Sequence, residues 1–155
     1  MQGKVPYEYL DHFFRQVNDF PKPHEITRKI EDTYNEVFDR YKNEEEEKYL
    51  EREREYNSLS WFEKRKVSKP YKTYLGLMKM DPFEYFSEQS QIFREYERKL
   101  KYLQVVVDVM KMAKISKNQV WCNSYEMRAL ETVYRNIDDY LFLQDDIEVY
   151  LDKFL

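Results

Sequence analysis

The residues best placed to do chemistry are Trp61-Phe62-Glu63-Lys64-Arg65-Lys66, continued by Lys69, Tyr71, Lys72, Tyr74 and Lys79. From Lys64 to Lys79 there are six basic residues and no acidic one. Cations in such a run attract phosphates while rings beside them stack on bases, or the same pair of features docks on an acidic protein surface. The plainer alternative is that the aromatics cap a helical bundle and the lysines keep a connector solvated. The contact candidates are therefore Trp61, Phe62, Lys64, Arg65, Lys66, Lys69, Tyr71, Lys72 and Tyr74.

Other chemistry lacks its parts. Nucleophilic catalysis needs a base within hydrogen-bond reach of the nucleophile, and His12 and His24 precede Cys122 by about a hundred residues with no recognisable motif around any of them. Cys122, beside Trp121, reads as a small packing residue, and the histidines as surface or cap-proximal groups. Gly3 and Gly76 cannot build a glycine-rich phosphate loop, and one cysteine cannot supply a zinc quartet at finger spacing.

Two acidic features invite a metal reading. The run Glu44 to Glu47 reads more simply as a solvated helix face, with Lys48, Arg52 and Arg54 as close-range partners. The doublets Asp138-Asp139 and Asp145-Asp146 lie on a helical pattern rather than in the ligand-rich loop that hard cations favour. No catalytic, metal or cofactor residue is assigned, and a non-enzymatic protein is expected. Acid/base work by paired carboxylates is the one chemistry that spacing alone leaves open.

Composition agrees with a scaffold of helices. The 155 residues fit one domain, and 42% hydrophobic with 17% aromatic content suffices for a core. With 36% charged residues, a mean hydropathy of -0.92 and only 2 Gly, long solvated helices are favoured over tight-turned sheet. A net charge of -4 and pI near 5.4 give no global pull toward nucleic acid or acidic membrane, so charge is read by segment. A single cysteine excludes an intramolecular disulfide, and no apolar N-terminal stretch resembles a signal peptide or a span. The expected setting is soluble and intracellular, with a virion interior equally compatible.

Apolar spacing then places the elements. Tyr7, Leu10, Phe14 and Val17 predict a short helix over 6–20, stopped by Pro21-Lys22-Pro23. Ile26, Ile30, Tyr34, Val37 and Tyr41 predict a helix from about 24 to 56 whose distal half, 42–55, is too charged to bury deeply. Ser60 to Glu63 has capping-box form and opens a short helix through Val67, before a break at Ser68-Lys69-Pro70. Residues 71–80 fit strand and helix alternation about equally, and helix or irregular structure is favoured for want of a second strand.

The strongest periodicity is Phe86, Phe93, Tyr96, Leu100, Leu103, Val107 and Met110, at steps of three and four broken only at Gln89. With Asp81-Pro82 as its start, it predicts one helix to about Lys114 and a core centred on 100–115. A connector over 116–123 leads to a last helix opened by Asn123 to Glu126, with Leu130, Val133, Ile137, Leu141, Ile147, Leu151 and Phe154 on one stripe and a kink near Gln144. A helix-turn-helix over Val105 to Val133 fits poorly, because the connector is long and Glu126, Glu131, Asp138 and Asp139 would repel phosphate.

The expected architecture is an all-α, elongated antiparallel bundle with three long helices, a short N-terminal helix and a protruding helical hairpin. It forms a single domain over 1–155, with its head from 1–41 and 100–155 and its arm and tip from 42–99. In this arrangement 42–56 pairs with 84–98. The expected function is a protein-interaction factor that occupies or bridges a larger protein partner, in the manner of an inhibitor or adaptor, and the small size suits a phage or viral regulator. Two alternatives are a nucleic-acid-associated regulator or packaging protein using segment 61–79, and a helical structural subunit that self-associates into a homo-oligomer. No membrane partner is expected.

Overall fold

The computed structural model of the chain describes residues 3–5, 21–116 and 120–155. The helix expected over 6–20, with His12, lies outside the described residues. Seven α-helices dominate the described residues, and the protein is all-α, with one small two-stranded ribbon among those residues.

Helix α1, Pro23–Ser58, starts with Pro in its first turn and Glu25 near its N-terminus. Its buried residues are Pro23, Ile26, Ile30, Thr33 and Tyr34, all in the first third. Thr33 is tolerated there because its hydroxyl donates to the Lys29 carbonyl at 2.7 Å. Beyond Phe38 the apolar stripe runs out, and the helix continues through solvent.

Helix α2, Trp61–Lys64, is a single turn held by Ser60, whose Oγ accepts the Glu63 amide at 3.3 Å and donates to Glu63 Oε1 at 3.0 Å. A 3-10 turn over Thr73–Gly76 is the regular structure within 71–80. Helix α3, Pro82–Gln89, begins where Asp81 Oδ1 accepts the Phe83 amide at 3.1 Å.

Helix α4, Gln91–Ser116, corrects the expectation of one helix from 81 to 114. Ser90 takes an extended conformation (φ -157°, ψ 136°) and its Oγ accepts the Ile92 amide at 3.2 Å, which caps a new helix at the point where the apolar repeat fails. The corner is tied by Arg94 Nε donating to the Ser87 carbonyl at 2.9 Å and Ser87 Oγ donating to Glu97 Oε2 at 2.9 Å. Satisfying these terminal groups offsets the lost helical bonds.

Residues 120–122 form a strand that the sequence reading treated as connector. Strand β2, Val120–Cys122, pairs antiparallel with β1, Gly3–Val5, in the register Gly3 to Cys122, Lys4 to Trp121 and Val5 to Val120. Helix α5, Ser124–Arg135, opens with a full capping box: Asn123 Oδ1 accepts the Glu126 amide at 2.8 Å and Glu126 Oε1 accepts the Asn123 amide at 3.0 Å.

The third long helix is not continuous. It breaks at Asn136 and Phe142 into α5, α6 (Ile137–Leu141) and α7 (Leu143–Asp152), so the described residues hold two long helices rather than three. Asn136 has φ -121° and ψ 39°, and its Nδ2 donates to the Thr132 carbonyl at 2.8 Å. This side chain competes with the continuing helix for the carbonyl. The breaks rotate the stripe, so Tyr140, Leu143 and Tyr150 are buried while Ile137 and Leu141 are only half-buried.

The core is one cluster with an aliphatic part and an aromatic part. Leu103, Val106, Val109 and Ala113 of α4 meet Ala129, Leu130 and Val133 of α5. The aromatic part joins Phe86, Phe93, Tyr150 and Phe154, with ring centroids 5.1 to 6.5 Å apart. Full burial of each large side chain contributes about 1.5–3 kcal/mol.

The arm also differs from expectation. Residues 84–98 do not pair with 42–56, because α3 and α4 turn their apolar faces to the first half of α1. The Tyr85 ring lies 5.3 Å from that of Tyr34, and Thr27 shares a cavity with Leu100 and Gln104. Instead residues 59–80 return along α1 as a largely irregular strap, from Leu59 at its far end to Met80 beside Tyr34. A distal half with only Tyr49 and Leu50 as apolar residues cannot bury a second helix, but it can seat single rings. Among the described residues no helix is long and apolar enough to cross a membrane.

Candidate functional site

The strap carries every contact candidate read from the sequence, and the structure places them along one side of the arm. Trp61 and Phe62 cross edge-on at 5.1 Å with 61% and 71% of their surfaces exposed. Val67, Tyr71, Leu75 and Met78 are exposed as well, and α2 and the 3-10 turn bury no residue. The capping alternative therefore finds no buried layer beneath Trp61 and Phe62.

Four of the strap's six cations lie over rings. The Arg65 guanidinium sits 3.8 Å from the Trp61 ring centre, and Lys64 Nζ is 5.4 Å from that of Tyr56. Lys72 Nζ is 5.9 Å from Tyr49, and Lys79 Nζ is 5.5 Å from Phe38 while donating to Asn35 Oδ1 at 3.1 Å. Each exposed contact of this kind contributes about 0.5–1 kcal/mol. Tyr74 stands on Tyr49 at 6.1 Å, and Lys66, Lys69 and Tyr71 point to no partner ring among the described residues.

Between strap and helix runs a groove of about 390 Å³, walled by Tyr56, Leu59, Val67, Pro70 and Tyr71 and edged by the charges of Arg52, Glu55 and Lys69. Tyr49, Tyr56 and Arg52 are the residues that sequence reasoning missed. Tyr49 and Tyr56 stand seven apart, on one face of an otherwise charged helix, and that spacing was the available signal. The Tyr49 phenol is raised above its ordinary value by a hydrogen bond to Glu53, then by slight desolvation and the Glu53 charge.

The remaining chemistry is elsewhere and dispersed. Cys122 is fully buried, its Sγ donating to the Val120 carbonyl at 3.9 Å, and burial followed by the Glu126 charge pushes its thiol up. A thiol so placed resists forming the thiolate a nucleophile needs. His24 is exposed at the start of α1. Of Glu44 to Glu47, Glu45 pairs with Lys48 at 3.4 Å. Among the described residues no three His, Cys, Asp or Glu side chains gather as a metal site would require. Comparison with protein-family models, characterised proteins and solved structures finds no match to this chain.

Proposed function

We propose that the protein is a non-enzymatic interaction factor that docks the strap side of its arm on an acidic surface of a larger protein, acting by steric occupation or bridging. The observation that carries this reading is the join of exposed rings with uncompensated cations. Trp61, Phe62 and Tyr71 offer large area with few freely rotating bonds, and Arg65, Lys66 and Lys69 offer a local positive field. A phage or viral regulator, working in an intracellular setting or a virion interior, is an origin consistent with this size.

Nucleic acid is the weaker partner on electrostatic grounds. The strap's six cations and Glu63 sum to +5 and leave -9 on the rest of the chain, since the whole carries -4. Residues 44–55, directly beside the strap, hold seven glutamates against Lys48, Arg52 and Arg54. A continuous polyanion laid along the strap would meet that acidic helix within a Debye length of about 8–10 Å. A protein surface of limited extent would not.

The test is affinity capture from the native host with the parent chain and with Lys64, Arg65, Lys66, Lys69 and Lys72 all changed to Ser. The partner recovered by the parent should be lost or strongly reduced with the variant, while the helical spectrum and melting midpoint stay nearly intact. Equal recovery would show the strap to be a solvated connector. A captured nucleic acid whose binding falls steeply with salt would replace protein by nucleic acid as the partner.

A further inference from the structure

We infer that the strap of one molecule takes the acidic outer face of α1 of a second copy, so that the chain self-associates head to tail through its arms. The inference rests on the reading of the arm as a docking element and goes beyond it by giving the strap a second acidic surface to take. It starts from unfinished charge pairing. Among the described residues none of the six strap cations lies within 4.0 Å of a carboxylate. Of the seven glutamates between 44 and 55, Glu45 alone forms an ion pair there, with Lys48 of its own helix. The two charge sets lie side by side within one arm and do not neutralise each other.

Geometry explains why. The strap is seated on the α1 face of Tyr49 and Tyr56, where four of its six cations lie over rings and Lys66 and Lys69 stay outward with no carboxylate partner among the described residues. At about 100° per residue, Glu44, Glu47 and Glu51 fall on the far side of α1 from those tyrosines, and all three are exposed. Arg54 shares that far side, which stays net acidic, so the arm has a basic, aromatic side and a predominantly acidic one. Each is complementary to the other side of another copy, and neither is complementary to itself. Because the two patches lie on opposite sides of the arm, two copies cannot make both contacts with each other at once, so the contact is heterologous and propagates into a ring or an open chain rather than closing as a two-fold dimer. Leu50, exposed beside the acidic stripe, gives the strap's Trp61 and Phe62 an apolar point to meet.

The experiment is sedimentation equilibrium of the full chain over a concentration series at low and high ionic strength. Two charge-reversed variants accompany it: Lys64→Glu with Arg65→Glu, Lys66→Glu and Lys69→Glu, and Glu44→Lys with Glu47→Lys and Glu51→Lys. The parent should show a weight-average mass rising above 19.4 kDa with concentration at low salt. The mass should return to the monomer value at about 0.5 M salt, where the Debye length falls to about 4 Å.

Each variant alone should remain monomeric, and the two mixed in equal amounts should associate, each supplying the side the other retains. Circular dichroism confirms that all three are folded. A parent monomeric throughout the low-salt series overturns the inference, as does a charge-reversed variant that associates as the parent does. A monomeric parent whose strap-to-Ser form still loses the captured partner leaves the docking function standing and removes the self-association. A parent that self-associates while its strap-to-Ser form keeps the captured partner does the reverse.

Discussion

The Tyr34 hydroxyl accepts the Met80 amide at 2.8 Å across a sequence separation of 46 residues, and this bond closes the base of the arm. Tyr34 is itself buried between the rings of Phe38 and Tyr85, at 6.2 and 5.3 Å, so the acceptor is held in place by packing that does not involve the strap. Lys79, one residue earlier, reaches Asn35 and the face of Phe38. The end of an otherwise irregular segment is therefore anchored by one buried phenol and one amphipathic lysine. Tyr34→Phe keeps the ring and removes the acceptor, which leaves a part-buried amide unsatisfied. The expected cost is about 1–2 kcal/mol, with strap amides exchanging faster than in the parent while those of α4 and α5 are unchanged. Unaltered exchange in 59–80 would mean that the strap is seated by its other contacts.

The first long helix and the caps at Ser60, Asp81 and Asn123 were readable in the sequence because each is a local pattern, the caps needing only an amide two or three residues away; the Ser90 cap of α4 was not read. The break at Ser90 was visible as the gap in the repeat at Gln89, but whether a gap bends or ends a helix depends on Arg94 and Glu97 reaching back to Ser87. Likewise the ends at Asn136 and Phe142 carry no proline or glycine. They follow from the head's need to bury Tyr140 and Tyr150 on different faces, which is a tertiary demand. The pairing of Val120–Cys122 with Gly3–Val5 spans more than a hundred residues and has no local signature. At the arm, charge segregation was legible, whereas the fold-back that lays Lys72 on Tyr49 and Lys64 on Tyr56 was not.

The buried face of α4 is not the one that a strict alternation of three and four selects. Leu103 is fully buried, but the next core position is Val106, also fully buried, while Val107 is half-buried. A run of three-residue steps through Leu100, Leu103, Val106 and Val109 tracks around the helix and follows α5. Leu103→Ala should lower stability by about 2–5 kcal/mol through the cavity it leaves. Val106→Asp should prevent stable folding by burying an unpaired carboxylate, whereas Val107→Asp should cost clearly less because its carboxylate can turn to solvent. Urea unfolding of the three variants checks the order. Equal damage from both valine changes would place both positions in the interior.

Stability should fall on the alkaline side. Burial pushes the Tyr140 phenol up to about 12, helped by Tyr102 and Asp139 and opposed by Arg98, and burial also raises Tyr150 and Tyr96. Each group is neutral when protonated, so the unfolded chain releases its protons first and binds fewer than the native state. The contribution is fully present below the ordinary phenol value of 10.0 and is lost as pH rises toward about 12. Tyr140→Phe should flatten the fall of the urea midpoint between those values and change it little at neutral pH. A variant with the parent's alkaline limb would show that the loss arises elsewhere.

Trp61 and Phe62 offer the sharpest separation of folding from binding. Were they caps, truncating both would open a cavity and lower the midpoint by several degrees. Their rings instead meet edge to face, with Arg65 over Trp61 and most of their surface in solvent. Trp61→Ala with Phe62→Ala should therefore shift the melting midpoint by less than about 2 °C, corresponding to less than about 1 kcal/mol at this chain length. The same variant should lose affinity for the captured partner, because exposed aromatic anchors contribute mainly when desolvated by a second surface. Arg65→Ala alone should weaken binding less and leave the midpoint unchanged, since one exposed cation over a ring contributes little to folding. A double variant that melts several degrees lower yet binds as the parent does would assign both rings to the support of the arm, and the contact surface would then move to Tyr71 and the groove beside it.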